Sequence, residues 1–278
     1  MSSYENYNRT SAVYDQTRQA QGLDLIRAAL LRNKRPLESQ TLLDAGCGTG
    51  QYSAALIDQV ARIKAVDLND AMLATAQQKL EQHPLRERIR FYQGSITELP
   101  IENQSVDAVM INQVLHHVPD EASRGWPAHR QIFEECHRVL RPGGVFVINS
   151  CSHLQLEKGF WFYRLIPKAI DRIKTKTCDI DAMGSLLSSV GFVDTRHEPA
   201  LSIIMQGDAY FRPDGVFDEN WRSGDSIWAL ASAEELDQAL RTAHALREQS
   251  ELEPMMTKAD QDRPQVGQLT FTSSLKPN

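Results

Sequence analysis

The residues best placed to do chemistry begin at 42–50, Leu-Leu-Asp-Ala-Gly-Cys-Gly-Thr-Gly, which run into Gln51-Tyr52-Ser53-Ala54-Ala55-Leu56. A short apolar run, alternate glycines and a helix-forming segment read as a buried strand, a tight turn and a helix start. Gly46 and Gly48 remove the Cβ atoms that would hold a small molecule off the backbone, and the first N–H groups of a helix lack internal partners. The spacing is G-x-G-x-G. A dinucleotide site would need G-x-G-x-x-G, but Gln51 and Ser53 stand where its third glycine would fall, and no G-K-S/T follows to cradle a phosphate. Further on, Ile63-Lys64-Ala65-Val66 closes on Asp67, a carboxylate at a strand tip that can accept hydrogen bonds from both hydroxyls of a ribose. Another apolar run, 106–111, ends in Asn112, Gln113, His116 and His117. Ligands of open α/β sheets sit outside such strand ends. An imidazole with a pKa near neutrality makes His117, or its neighbour His116, the candidate general base.

The motifs D-A-G-C-G-T-G at 44–50 and A-V-D-L-N-D-A-M-L at 65–73 resemble the Rossmann-like (class I) S-adenosylmethionine (AdoMet)-dependent methyltransferases. The resemblance continues through G-S-I-T-E-L-P at 94–100, V-D-A-V-M-I-N-Q-V-L-H-H-V at 106–118 and L-R-P-G-G at 140–144, so it covers about 40–150. It implies AdoMet as cofactor. The positions it carries over are Asp44, Gly46 and Gly48 in the glycine turn, and Asp67, Leu68 and Met72 beside ribose and adenine. Ser95 and the N–H of Ile96 fall at the adenine ring, and Asn112 and Gln113 at the fourth strand's end. Ser95 departs from the Asp common at its position, which weakens one contact to the adenine amino group. The family also suggests that residues 1–20 form a lid, with Tyr14 and Arg18 at positions that meet the methionine carboxylate.

The implied activity is methyl transfer by in-line displacement to a small-molecule acceptor, where the protein's main task is alignment and a base serves only an acceptor whose proton leaves early. The stretch N-Q-V-L is not the N/D-P-P-Y/F of enzymes that methylate amino groups of DNA bases or glutamine. Two other readings share the fold. One is a catalytically silent AdoMet-binding or partner subunit. The other, prompted by Cys151 and Cys178 after the fifth strand, is an arsenite methyltransferase, although the N-terminal thiol of such enzymes is absent.

These residues need a frame to position them. The pattern predicts an α/β fold, a doubly wound, mostly parallel seven-stranded sheet with an antiparallel last strand and a small cap inserted before it. Helical spacing places Leu23, Ile26, Leu30 and Leu31 on a helix, and Asn69 or Asp70 caps another carrying Leu73, Ala76 and Leu80. The last strand is expected at 267–272. The core is then 21–199 with 266–278, and 200–265 forms the cap, with Ser232 and Glu235 as a capping box. Its Tyr210 and Arg222 are the candidate acceptor contacts, and the aromatic run 160–163 is a candidate pocket wall.

Composition narrows the partners. With 41% apolar and 24% charged residues over 278 positions the chain reads as a globular protein. A net charge of −6 argues against nucleic acid and anionic membrane surfaces as partners. No apolar run reaches the length of a membrane span and the N-terminus lacks leader character, so the expected compartment is the cytoplasm. Four widely spread cysteines show no metal-ligand spacing, so no metal is expected.

Overall fold

A computed structural model describes residues 19–278, so the proposed lid residues Tyr14 and Arg18 lie outside the described residues. The strands are β1 (Thr41–Ala45), β2 (Arg62–Asp67), β3 (Ile89–Gln93), β4 (Val106–Asn112), β5 (Leu140–Ser150), β6 (Val193–Pro199) and β7 (Thr270–Leu275). The described helices are α1 (Leu23–Leu30), α2 (Gln51–Leu56), α3 (Asp70–Glu81), α4 (Pro127–Val139), α5 (His153–Lys158), α6 (Pro167–Lys176) and α7 (Ile180–Val190). After β6 come α8 (Glu219–Ser223), α9 (Ala233–Glu248), α10 (Leu252–Ala259) and α11 (Arg263–Val266). The seven strands form one sheet in the order β3-β2-β1-β4-β5-β7-β6. Strands β1 to β5 pair in parallel, and β7 runs antiparallel to both β5 and β6. This is the doubly wound, mostly parallel α/β sheet that the sequence implies.

The central strands are apolar throughout because both faces of the sheet are covered. Alternation sends Leu43, Val109, Ile111, Phe146 and Ile148 into one apolar layer with Phe133 of α4 and Leu187 of α7. Leu42, Ala108, Met110, Val145 and Val147 face the other layer with Ile26 and Leu30 of α1, Leu56 of α2 and Leu80 of α3. At the outer edge β6 exposes Asp194, Arg196 and His197, a polar rim that discourages further strand pairing. Asn69 caps α3 by accepting the Met72 N–H at 3.0 Å. Leu31 departs from expectation: α1 ends one residue before it, and it is 58% exposed.

A third apolar cluster joins Phe160–Tyr163 and the inner face of α6 to Tyr210, Val216, Trp228, α9 and α10. It draws on the segment after β5 as much as on the insertion after β6. Two local expectations are corrected here. Ser232 does cap α9, accepting the Glu235 N–H at 3.1 Å, but the Glu235 carboxylate does not return to close a capping box. It accepts the N–H groups of Lys168 (2.7 Å) and Ala169 (3.1 Å) at the start of α6 and pairs with Arg172 at 2.9 Å. Orphan donors at a neighbouring helix N-terminus compete for the same carboxylate, and they win. The last strand begins three residues later than expected, at Thr270, because Gln268 is used elsewhere. Its buried amide accepts from Met205 N–H (2.7 Å) and donates to the Gly159 carbonyl (2.8 Å).

Candidate functional site

The glycine turn at the end of β1 is held from beneath. Gly46 and Cys47 donate to the Val66 carbonyl at 2.8 and 2.9 Å, which locks the turn to the end of β2. Gly46, Gly48 and Gly50 have φ of 79°, 54° and 74°, the left-handed region where glycine is needed. A Cβ on Gly46 would strike Val114 at 2.7 Å, whereas one on Gly48 would stand in open space. Gly48 is therefore where backbone is bared to the crevice.

Two carboxylates face this turn. Asp67 accepts the Gly48 N–H with one oxygen (2.8 Å) and the Asn69 N–H with the other (2.9 Å). A carboxylate offers about four lone-pair sites, so acceptor capacity remains at its outer edge. Burial raises its pKa against these hydrogen bonds. Asp44 is buried and accepts the Ser53 hydroxyl at 2.7 Å. Burial pushes it up to about 7; the Ser53 hydrogen bond opposes the shift and the negative charge of Asp67 adds to it. Such a pair is under-compensated and suits a cationic ligand.

The remaining wall comes from the ends of β3, β4 and β5. Ser95 bonds the Thr97 hydroxyl at 2.7 Å, and Ile96 is half-buried beside it. Neither the oxygen nor the nitrogen of the buried Asn112 amide has a partner among the described residues. Gln113, in a left-handed conformation with φ 55°, donates to Asn149 Oδ1 at 3.0 Å. Asn149 donates in turn to the Tyr52 hydroxyl (3.1 Å), which donates to the Gln21 carbonyl (3.1 Å). His117 sits in a short 3-10 turn, its ring 4.0 Å from that of His116.

One cavity of about 320 Å³ gathers these groups. Its lining includes Asp44, Gly46, Gly48, Asp67, Leu68, Met72, Ser95, Ile96, Asn112, Gln113 and His117, so every described position carried over from the motifs meets in one crevice. The residues fit AdoMet. The bared backbone at Gly48, the Asn112 amide with no partner among the described residues, and the buried Asp44 and half-buried Asp67 carboxylates match a ligand with both hydrogen-bonding groups and positive charge. Tyr52, Asn149 and His129 also line the cavity without having been singled out from the sequence. Asn149 had a signal, a polar side chain ending the apolar run of β5. His129 had none.

The cavity continues under the third apolar cluster, where Leu156, Phe160, Tyr163, Ile173, Met205 and Ile227 line it. In the 3-10 turn Trp161–Leu165 the three-residue period turns Phe160 and Tyr163 to the same side, with rings 4.5 Å apart. Trp161 and Phe162 point into the cluster, fully buried. Tyr210 and Arg222, the candidate acceptor contacts, do not line this cavity. Tyr210 is fully buried, donates to Asp260 at 2.5 Å and accepts the Trp161 N–H at 3.3 Å, so it belongs to the cluster's interior. Arg222 turns back to the Val216 carbonyl at 2.6 Å. Burial pushes the Cys178 thiol up to about 12, with Asp179 and Asp120 adding to the shift.

Comparison with known proteins agrees with this geometry. Residues 43–148 match the methyltransferase domain family. A probable S-adenosylmethionine-dependent methyltransferase of Mycolicibacterium smegmatis is 34% identical over 152 residues, 54% of this chain and 51% of that protein. A demethylmenaquinone methyltransferase of Lactococcus lactis is 31% identical over 155 residues, 54% of this chain and 58% of that one. The matched part is thus little more than half the length of these curated relatives. Among solved structures, a protein of Anabaena variabilis assigned as a methyltransferase of an antibiotic biosynthesis pathway superposes with a TM-score of 0.72 at 21% identity, over 93% of this chain and 99% of that one. A Haemonchus contortus phosphoethanolamine N-methyltransferase bound to S-adenosyl-L-methionine superposes with a TM-score of 0.55 at 18% identity, over 94% of this chain and 54% of that one. Over residues 43–148 the chain therefore matches the methyltransferase domain family, and the relatives matched there include proteins named as S-adenosylmethionine-dependent methyltransferases.

Proposed function

We propose that this chain transfers the methyl group of AdoMet to a small acceptor with an apolar, ring-bearing body. The observation that carries the reading is the continuity of one cavity from the carboxylates at the strand ends to the apolar compartment under the third cluster. Bound AdoMet supplies a methyl carbon on a sulfonium. The chain supplies the rest. The free edge of Asp67 takes the ribose hydroxyls, Ser95 and Ile96 border the adenine, Leu68 and Met72 flank it, and Asp44 with the glycine turn holds the methionine end. Asn112 and Gln113 close the crevice at β4. Phe160, Tyr163 and Ile173 give the acceptor a dry wall against which it is held in one orientation, the condition for efficient displacement. A flat ring suits the paired Phe160 and Tyr163 rings, and the quinone-related name of the Lactococcus lactis relative points the same way. His117 also lines the cavity and is the residue we assign to accept a proton from the acceptor where one must leave.

The test is incubation with AdoMet and a panel of phenols, hydroquinones, amines, oligonucleotides and peptides, following S-adenosylhomocysteine. Turnover on small ring acceptors, with Phe160→Ala raising KM, is expected. Turnover confined to a peptide or a nucleic acid would contradict the reading.

A further inference from the structure

A buried polar pair, Asp120 and His129, reaches the cavity wall through His129. α4 starts after Trp126, which has φ 61°, and His129 in its first turn is completely buried. Its backbone N–H donates to Asp120 Oδ2 at 2.9 Å, and the same oxygen lies 2.9 Å from His129 Nδ1. The other Asp120 oxygen accepts the Glu121 N–H at 3.0 Å. Burial pushes the Asp120 carboxyl up, but the hydrogen bonds from His129 and Glu121 outweigh it and hold the group below its ordinary range. An ionised carboxylate only accepts, so Nδ1 carries the ring proton. Burial holds His129 below its usual value against the pull of Asp120. The imidazole is therefore neutral, with its lone pair on Nε2.

That nitrogen lies on the ring edge away from Asp120. It is buried and has no hydrogen-bond partner among the described residues, while His129 borders the cavity. Two aromatic rings stand beside the imidazole, Trp126 edge-on at 5.0 Å and Phe133 edge-on at 6.4 Å. Cys178 and Met183, of the same apolar layer, also line the cavity. Capping of α4 accounts for Asp120 and for the His129 backbone. It does not account for an imidazole with one nitrogen fixed by a carboxylate and the other left unmatched in an apolar wall, an arrangement that is costly unless something fills it.

We propose that His129 Nε2 anchors the methyl acceptor by accepting a hydrogen bond from an O–H or N–H group on it, so that the site selects apolar ring molecules bearing such a donor. The proposal rests on the cavity under the third cluster being the acceptor compartment. Where the donor's proton must leave, the O–H or N–H bond breaks, the proton joins Nε2 and the electron pair stays on the heteroatom. Asp120 balances the imidazolium until the proton passes to water.

Phenol and toluene, alike in ring and size but differing in the hydroxyl, test this in protein labelled with 15N-histidine and saturated with S-adenosylhomocysteine, so that no turnover occurs. Phenol is expected to bind about tenfold more tightly than toluene, the scale of one hydrogen bond. The His129 Nε2 resonance, identified by its loss in His129→Phe, should move with phenol and stay in place with toluene, and His129→Phe should bind the two alike. Equal binding of phenol and toluene by the unmodified protein, or an unmoved Nε2 signal with phenol bound, overturns the proposal and leaves the acceptor compartment standing. Failure of both molecules to bind the S-adenosylhomocysteine complex overturns both. If His129→Phe does not fold, Asp120→Asn assigns the resonance, and the comparison in the unmodified protein still decides.

Discussion

The two halves of the cavity are built by different means. The cofactor half is made of backbone and short side chains at strand ends, with Gly48, Asp67 and Asn69 tied together by hydrogen bonds between neighbours in the fold's own register. The other half is made of large side chains from two distant segments, 156–173 and 201–227, brought together by a cluster that the sheet does not template. Geometry dictated by a parallel sheet is the same for every such chain, so it can hold a shared cofactor. Geometry that depends on how two loop segments pack is not dictated by the sheet, so it is the part free to differ with the acceptor.

The largest expected effect separates the halves by stability. Tyr210→Ala removes a fully buried ring from the third cluster and should cost about 3–5 kcal/mol. Chemical denaturation measures it, and the surviving folded fraction should bind AdoMet nearly as the parent does. Equal loss of AdoMet affinity in that fraction would show that the halves are coupled, breaking the contrast.

Asp67→Ala strikes the other half. AdoMet affinity should fall by about 1.5–3 kcal/mol, the scale of hydrogen bonds to a charged group, with phenol binding in the acceptor compartment little altered. Calorimetric titration reads both.

A third expectation concerns pH. The Asp44 pKa is raised to about 7 in the folded chain, so the neutral form favours folding at low pH, and that contribution is lost as pH rises from about 4 through 7. A cationic ligand wants the opposite state. AdoMet affinity should therefore rise with pH, by up to about tenfold per unit, until Asp44 is ionised near 7 and then level off. Asp44→Asn should flatten the profile. The neutral thioether S-adenosylhomocysteine should show a shallower slope than AdoMet in the same titration.

The same contrast explains what could be read from the sequence. The path from Leu42 through Gly50 to Asp67 was legible because each step is local: an apolar run, glycines where φ must be positive, a carboxylate ending the next strand. The positions it named meet in one crevice. What failed was decided by residues far apart in the chain. Glu235 left its capping box because α6, nearly seventy residues upstream, offered unpaired N–H groups. Aromatic composition marked Tyr210 as a candidate acceptor contact, but the fold puts it in the cluster's interior while Phe160 and Tyr163 line the cavity. His129 carries no motif. Its significance arises from Asp120 on the preceding loop and a nitrogen that nothing matches.

The smallest expected effect lies where the halves touch. Tyr52→Phe removes the hydroxyl that links Asn149 to the Gln21 carbonyl, and Gln21 also donates to the carbonyls of Ile204 and Met205. Loss of that link should cost about 1 kcal/mol in thermal unfolding and slightly weaken AdoMet and phenol together.

The central claim is that the glycine turn and its two carboxylates form an AdoMet site and not a dinucleotide site. Titration calorimetry of the full chain with AdoMet and, separately, with NAD tests it most directly. One AdoMet bound per chain, weakened in Asp67→Ala, and no saturable heat with NAD are expected. Tighter binding of NAD than of AdoMet, or an AdoMet affinity untouched by the loss of Asp67, would contradict it.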